Sequence, residues 1–207
     1  VTVSIIIFNV LVFLYELSLD QYSLNWFIAH YGVVPDRFQY SDLFSSMFLH
    51  GGWMHLIGNM WFLWIYRDNV EDILGPGKYI GFYLLCGIAA AMVHAILNPY
   101  SRVPTVGASG AIAGVMGAYL VKFPHSRVLT LVPIFIFFTT FEVPALIILL
   151  YWFVIQIFSG IASVGVSNVS QGGVAWFAHV GGFLAGIILV YLLRPRERFR
   201  HRRDLTW

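Results

Sequence analysis

Charge is what this chain has least of. Asp, Glu, Lys and Arg make up 11% of its 207 residues, against about 25% in soluble domains. With 59% hydrophobic residues, that deficit excludes an ordinary water-soluble domain. It points to an integral membrane protein, one bundle over residues 1–207 rather than several domains. Cysteine is almost absent: Cys86 stands alone in an apolar run, which excludes an internal disulfide and a CxxC metal site and reads as packing. The formal net charge is only +2, which does not suggest a nucleic-acid partner. There is no His-Glu-x-x-His sequence, and His50 and His55 are five apart, so they do not share a helix face as zinc ligands need. No metal and no cofactor are expected, and no long-period repeat is visible. The chain begins at Val1 rather than Met and is expected to be a trimmed piece. Its first apolar stretch shows no basic n-region or cleavage site, so a cleaved signal peptide is not expected.

Apolar runs dominate what remains. The pattern predicts membrane helices over residues 1–18, 49–66, 79–97, 108–121, 144–158 and 174–193. Residues 19–48 are too polar to span, and their aromatics predict a folded loop at the interface. Residues 67–78 read as a polar turn, residues 128–143 as an irregular lead-in to the fifth helix, and residues 159–173 as a Gly/Ser/Asn loop. Residues 194–207 form a strongly basic tail. With six spans, ten Lys and Arg fall on one side (Arg67, Lys78, Lys122, Arg127 and six in the tail) and two, Arg37 and Arg102, on the other. The positive-inside rule then places both termini in the cytoplasm. The basic tail is explained by topology, with anionic lipid as its other use.

Two short stretches carry chemistry. The first is Gly107-Ala108-Ser109-Gly110, opening the fourth helix; the second is Ala178-His179-Val180-Gly181-Gly182 in the sixth. An ionisable side chain within an apolar run is a functional hypothesis by default. Ser109 lies 13 residues before Lys122, and His179 15 residues before Arg194. At about 1.5 Å per residue these are depths of roughly 20 and 22 Å, so the two side chains sit at similar height. The fourth helix is therefore short and starts within the membrane. A serine hydroxyl needs a base to take its proton, and His179 is the natural one. The acidic residues all lie in loops, tails or helix ends, so a Ser-His dyad is expected rather than a triad. In the second helix, His55 and Asn59 are four apart and share a face. Such a polar pair points inward, either as hydrogen-bond donors for an oxyanion or as interhelical glue. Gly110, Gly114 and Gly117 on the fourth helix, with Gly182 and Gly186 on the sixth, permit the close packing that brings Ser109 to His179. Gly182→Leu is expected to separate the helices.

In this order and on these helices, His50…His55…Asn59, Gly107-Ala108-Ser109-Gly110 and Ala178-His179-Val180-Gly181-Gly182 with Gly186 resemble the rhomboid family of intramembrane serine proteases. The resemblance implies a six-helix bundle with Ser109 as nucleophile and His179 as general base. His55, Asn59 and the Ser109 backbone N–H would form the oxyanion site. Gly107 would shape a pocket for a small substrate side chain, and His50 would tie the first loop to the bundle. It also implies single-span membrane proteins as substrates, a lateral route to the site between the second and fifth helices, and a bacterial inner membrane as location. Two departures stand out. Ser41-Asp42 occupies the place where many relatives carry a Trp-Arg pair, so loop anchoring must differ. Ala113 stands where some relatives place an aromatic under the histidine, so the imidazole must be held by other packing. On the fifth helix, Trp152 and Phe153 read either as a gate or as lipid-facing bulk.

Two other functions compete. A non-catalytic relative that binds membrane clients is opposed by the presence of both Ser109 and His179. A transporter using His55, His94 and His179 as a proton path lacks an embedded carboxylate and an inverted repeat.

Overall fold

A computed structural model describes residues 1–134, 137–163 and 175–193. The basic tail at 194–207 and residues 164–173 of the expected Gly/Ser/Asn loop lie outside the described residues. The ordered elements are α1 (Thr2–Ser18), α2 (Gln21–Tyr31), α3 (Asp42–Ser45), α4 (Trp53–Leu74), α5 (Pro76–Leu97), α6 (Ser109–Lys122), β1 (Arg127–Ile134), β2 (Phe137–Pro144), α7 (Ala145–Ser163) and α8 (Trp176–Leu192). The expected second to sixth helices correspond to α4, α5, α6, α7 and α8. By length and composition, Pro76–Leu97 and Ala145–Ala162 are able to cross a membrane, while Thr2–Ser18, Ser109–Lys122 and Trp176–Leu192 are shorter apolar helices.

The central helix is α6. Its sequence is small or apolar all round, and every residue from Gly110 to Leu120 is buried, as such a helix must be. Around it stand α4, α5, α7 and α8, and α1 packs on α4. Small residues set the spacing. A side-chain carbon at Gly182 would strike the Gly110 carbonyl, one at Gly186 the Gly114 carbonyl, and one at Gly117 the Phe183 carbonyl. On the α5 side, a carbon at Gly110 would lie 2.5 Å from Ala90 Cβ, and one at Gly114 would strike Cys86. Cys86 is buried there, in the packing role its apolar setting predicts. Outer faces are apolar instead of polar: Ile7 and Leu11 of α1, Trp61 and Trp64 of α4, and Leu184 and Ile188 of α8 are all exposed.

Helix ends pair at one end of the bundle. The Thr2 N–H and hydroxyl donate to the Glu71 carboxylate at 3.2 and 2.6 Å. Asn69 Nδ2 donates to the Tyr119 hydroxyl at 3.2 Å, and Lys78 Nζ donates to the Leu193 carbonyl at 2.8 Å. The start of α1, the end of α4, the start of α5 and the ends of α6 and α8 are thereby held together.

Three expectations change. The polar turn predicted at 67–78 is helical to Leu74, and part of its charge is engaged along the helix. Glu71 accepts from Thr2, and the Arg67 guanidinium lies 3.9 Å over the Trp64 ring. The break comes at Gly75, whose φ of +74° favours glycine, and Pro76 opens α5 as a first-turn proline. At the other end, α4 begins at Trp53, so His50 precedes the helix instead of lying on it. The irregular segment expected at 128–143 is an antiparallel hairpin, paired from Arg127↔Pro144 to Ile134↔Phe137. Val128-Leu129-Thr130-Leu131 and Phe138-Thr139-Thr140-Phe141 favour strands through their branched and aromatic residues.

Residues 19–48 do form a folded loop, made of α2, α3 and two 3₁₀ turns. Ser41-Asp42 is not its anchor. Val33 and Thr105 exchange backbone hydrogen bonds of 3.0 and 2.8 Å, and Arg102 Nε donates to Asp36 Oδ2 at 2.9 Å.

Gly182→Leu is expected to destabilise the bundle by about 3 kcal/mol, the upper end for overpacking, because the obstacle is backbone. A melting temperature in detergent equal to the parent's would refute this account of the α6–α8 contact.

Candidate active site

The Gly-rich turn into α6 and the middle of α8 meet where the glycines allow it. Gly107 has φ +125°, a conformation that side chains disfavour, and its N–H donates to the Ser46 carbonyl at 2.8 Å. Ala108 then caps α6, so Ser109 is its first residue. The backbone N–H groups of a first turn have no intrahelical partner. Across the gap, His179 Nε2 lies 2.8 Å from Ser109 Oγ. Ser109 is half-buried and His179 buried, so the hydroxyl is reachable while its partner is shielded.

The other ring nitrogen, Nδ1, lies 2.6 Å from Oε1 of Gln156 on α7. An amide oxygen only accepts, so in this arrangement a neutral ring would carry its hydrogen on Nδ1 and present its Nε2 lone pair to the serine hydroxyl. The Trp152 ring, one helical turn before Gln156, lies 5.7 Å from the imidazole, and the Trp176 ring lies edge-on at 6.5 Å. These contacts replace the aromatic that Ala113 does not supply. Trp152 and Phe153 are half-buried and face inward, with Phe153 stacked on Phe183 at 4.5 Å. Gln156 was absent from the expected site. Its signal was available: it is the one amide in the apolar stretch from Ala145 to Phe158.

The polar pair on α4 faces the same place. The Gly51 N–H donates to His55 Nδ1 at 3.3 Å, which leaves the hydrogen of the neutral ring on Nε2. That Nε2 would stand 2.7 Å from a side-chain carbon at Gly107, and Asn59 Nδ2 3.5 Å from it. Asn59 Nδ2 is buried with no hydrogen-bond partner among the described residues. His55 Nε2 and Asn59 Nδ2 therefore flank the glycine two positions before Ser109.

His50 sits behind this pair, its ring 5.2 Å from that of His55. Its backbone N–H donates to both carboxylate oxygens of Glu16, at 3.2 and 3.3 Å. Its ring nitrogens have no partner among the described residues. The connection expected of His50 thus runs through its backbone and the end of α1. His94, the third histidine of the proton-path reading, is elsewhere: its Nε2 is 3.0 Å from Thr105 Oγ1 and its Nδ1 3.5 Å from Asn98 Nδ2. Among the described residues no group of three His, Cys, Asp or Glu side chains is placed to hold a metal ion.

A half-buried serine bonded to a buried histidine inside an apolar helical bundle defines a membrane protein with a Ser-His pair. The Rhomboid domain family matches residues 37–196. The chain is 31% identical over 167 residues to RHOMBOID-like protein 6, mitochondrial, of Arabidopsis thaliana, covering 77% of this chain and 47% of that one. It is 32% identical over 158 residues to RHOMBOID-like protein 5 of the same plant, covering 74% and 45%. Against Rhomboid protease GluP of Bacillus subtilis it is 31% identical over 144 residues, covering 70% and 24%. The chain spans less than half the length of these curated relatives. It belongs to the rhomboid family, and is accordingly an integral membrane protein. Mitochondrial and bacterial proteins both occur among the relatives, so they do not single out the bacterial inner membrane.

Glu16→Ala is expected to leave the His50 N–H buried without its acceptor and to cost about 1–3 kcal/mol. Thermal unfolding in detergent measures it, and an unchanged midpoint would show that this bond carries no stability.

Proposed function

We propose that this chain is an intramembrane serine endopeptidase that cuts single-span membrane proteins near the outer face of the bilayer. The observation that carries the reading is the 2.8 Å contact between Ser109 Oγ and His179 Nε2. Ser109 attacks the scissile carbonyl while His179 Nε2 takes its proton, then passes it to the leaving amine. The Ser109 backbone N–H, His55 Nε2–H and the unpartnered Asn59 amide receive the developing oxyanion. Gly107 leaves room for a small residue before the cut bond, since any side chain there would meet His55. No metal takes part.

The six-span arrangement and cytoplasmic termini belong to this reading. They are supported by the ten-to-two sorting of Lys and Arg. α6, with 14 residues, is about 21 Å long, shorter than a hydrocarbon core of about 30 Å. Its start is thus set below the outer surface, where backbone must be shielded by protein or face water. A peptide bond inside a substrate helix must unwind to reach Ser109. The bacterial inner membrane is our reading of the location, and it rests on the composition of the chain. Fractionation of the source cell tests it, and recovery in an organelle envelope would overturn it.

A client-binding protein without catalysis is the second reading. The unpartnered Asn59 amide beside Gly107 favours the protease, since binding a helix does not require it. Cleavage of a single-span reporter in liposomes separates the two. Parent protein is expected to cut it, with EDTA harmless, and folded Ser109→Ala and His179→Ala variants are expected to be inactive. Undiminished cleavage by Ser109→Ala would sink the mechanism. No cleavage by the folded parent across several substrates would favour client binding. Asn59→Ala is expected to lower kcat by about 10²–10³-fold, the usual effect of losing one oxyanion donor. A parental kcat would remove Asn59 from that role.

A further inference from the structure

The inward stripe of α7 runs through Ala145, Leu149, Trp152, Gln156 and Gly160, at helical spacing. All but Gln156 are apolar or glycine. An amide in such a stripe is costly unless hydrogen-bonded, and Gln156 is 5% exposed. Its Oε1 meets His179 Nδ1 at 2.6 Å, on the opposite side of the ring from Ser109.

Resting on the protease reading, we infer that Gln156 is a positioning residue: it fixes the tautomer and orientation in which His179 can act as base for Ser109. With the hydrogen on Nδ1, both contacts of the ring are attractive. With the hydrogen on Nε2, the Nδ1 lone pair would face the amide oxygen, and Nε2 would have no lone pair for the hydroxyl proton. Gln156 thus occupies the place of a triad carboxylate without its charge. A carboxylate at this depth would have to shed its water. An amide orients the ring without burying a charge. Trp152, one turn away, packs beside the same ring, so α7 holds the imidazole at its Nδ1 edge and over one face.

The test compares the parent with Gln156→Leu and with Gln156→Glu, which restores an acceptor at the same reach. Gln156→Leu is expected to lower kcat by about 10–100-fold with KM within twofold, the split expected when a residue acts through the base. Gln156→Glu is expected to cleave faster than Gln156→Leu. The ring ¹⁵N resonances of His179, recorded in a Ser109→Ala background, are expected to show hydrogen on Nδ1 with Gln156 present and a tautomer mixture with Gln156→Leu. A folded Gln156→Leu variant with parental kcat would overturn the inference, as would the same tautomer with and without Gln156. If Gln156→Leu does not fold, Gln156→Glu and the parent spectrum decide alone: hydrogen on Nε2 in the parent overturns it. Failure of the protease reading shows differently, as a folded parent no more active than Ser109→Ala, and the tautomer measurement needs no cleavage.

Discussion

The approach of α6 to α8 is the constraint on which the rest depends. The two backbones come so near that Gly110 and Gly114 carbonyls occupy the space where side chains of Gly182 and Gly186 would begin. Lipid tails are as apolar as leucine, so burial alone does not hold such helices together. Close van der Waals packing does, and small residues make it available. The serine and the histidine ride on these two surfaces, and their 2.8 Å separation follows from the helix spacing. α5 closes the third side through Ala90 and Cys86, which makes α6 a buried axis instead of one more strut.

Around that axis, polar side chains are few, and several of them join separate elements. Glu71 joins α4 to the start of α1, Glu16 holds the backbone at His50, and Thr105 meets His94 beneath the loop. Each ties two separate elements together, which is what a polar group must do to persist in an apolar setting. The Asn59 amide nitrogen, the His50 ring nitrogens, Asn9 Oδ1, Arg67 Nε and the Tyr79 and Tyr83 hydroxyls are buried without a hydrogen-bond partner among the described residues. His50 is enclosed behind His55, while Asn59 borders the half-buried ground around Gly107 and Ser109. On the proposed reading, the unpartnered amide beside a reachable hydroxyl would receive the transient negative charge.

Much of this was legible in the sequence, for reasons particular to the residues. Ser109 and His179 stood out because polar groups in apolar runs have few innocent explanations, and depth counted from basic anchors placed them level. The glycine spacing told which helices touch. Three features were hidden. Polar residues at 67–72 imitate a loop when read as composition, yet Glu71 meets α1, Asn69 meets α6 and Arg67 lies over the Trp64 ring, and the helix continues. The hairpin at 127–144 has the apolar content of a membrane segment, and only its branched and threonine residues hint at strands. Gln156 was visible as a lone amide, but its meaning depends on which face of α7 turns inward, and that is decided by tertiary packing. The tail and residues 164–173 between α7 and α8 lie outside the described residues.

The grip of α7 on the imidazole has a kinetic consequence. A transmembrane segment that entered between α4 and α7 would have to push α7 aside, and that displacement would draw Gln156 and Trp152 away from His179. The ring would then be free to turn, and Ser109 would lose its proton acceptor. On the protease reading, admission by that route and cleavage would be mutually exclusive states of one helix, and hydrolysis would wait for α7 to return with the guest still inside. Selection under such a scheme acts on dwell time as much as on fit. Under that scheme a passing helix that left before α7 returned would escape uncut, and one that unwound and stayed would be cleaved.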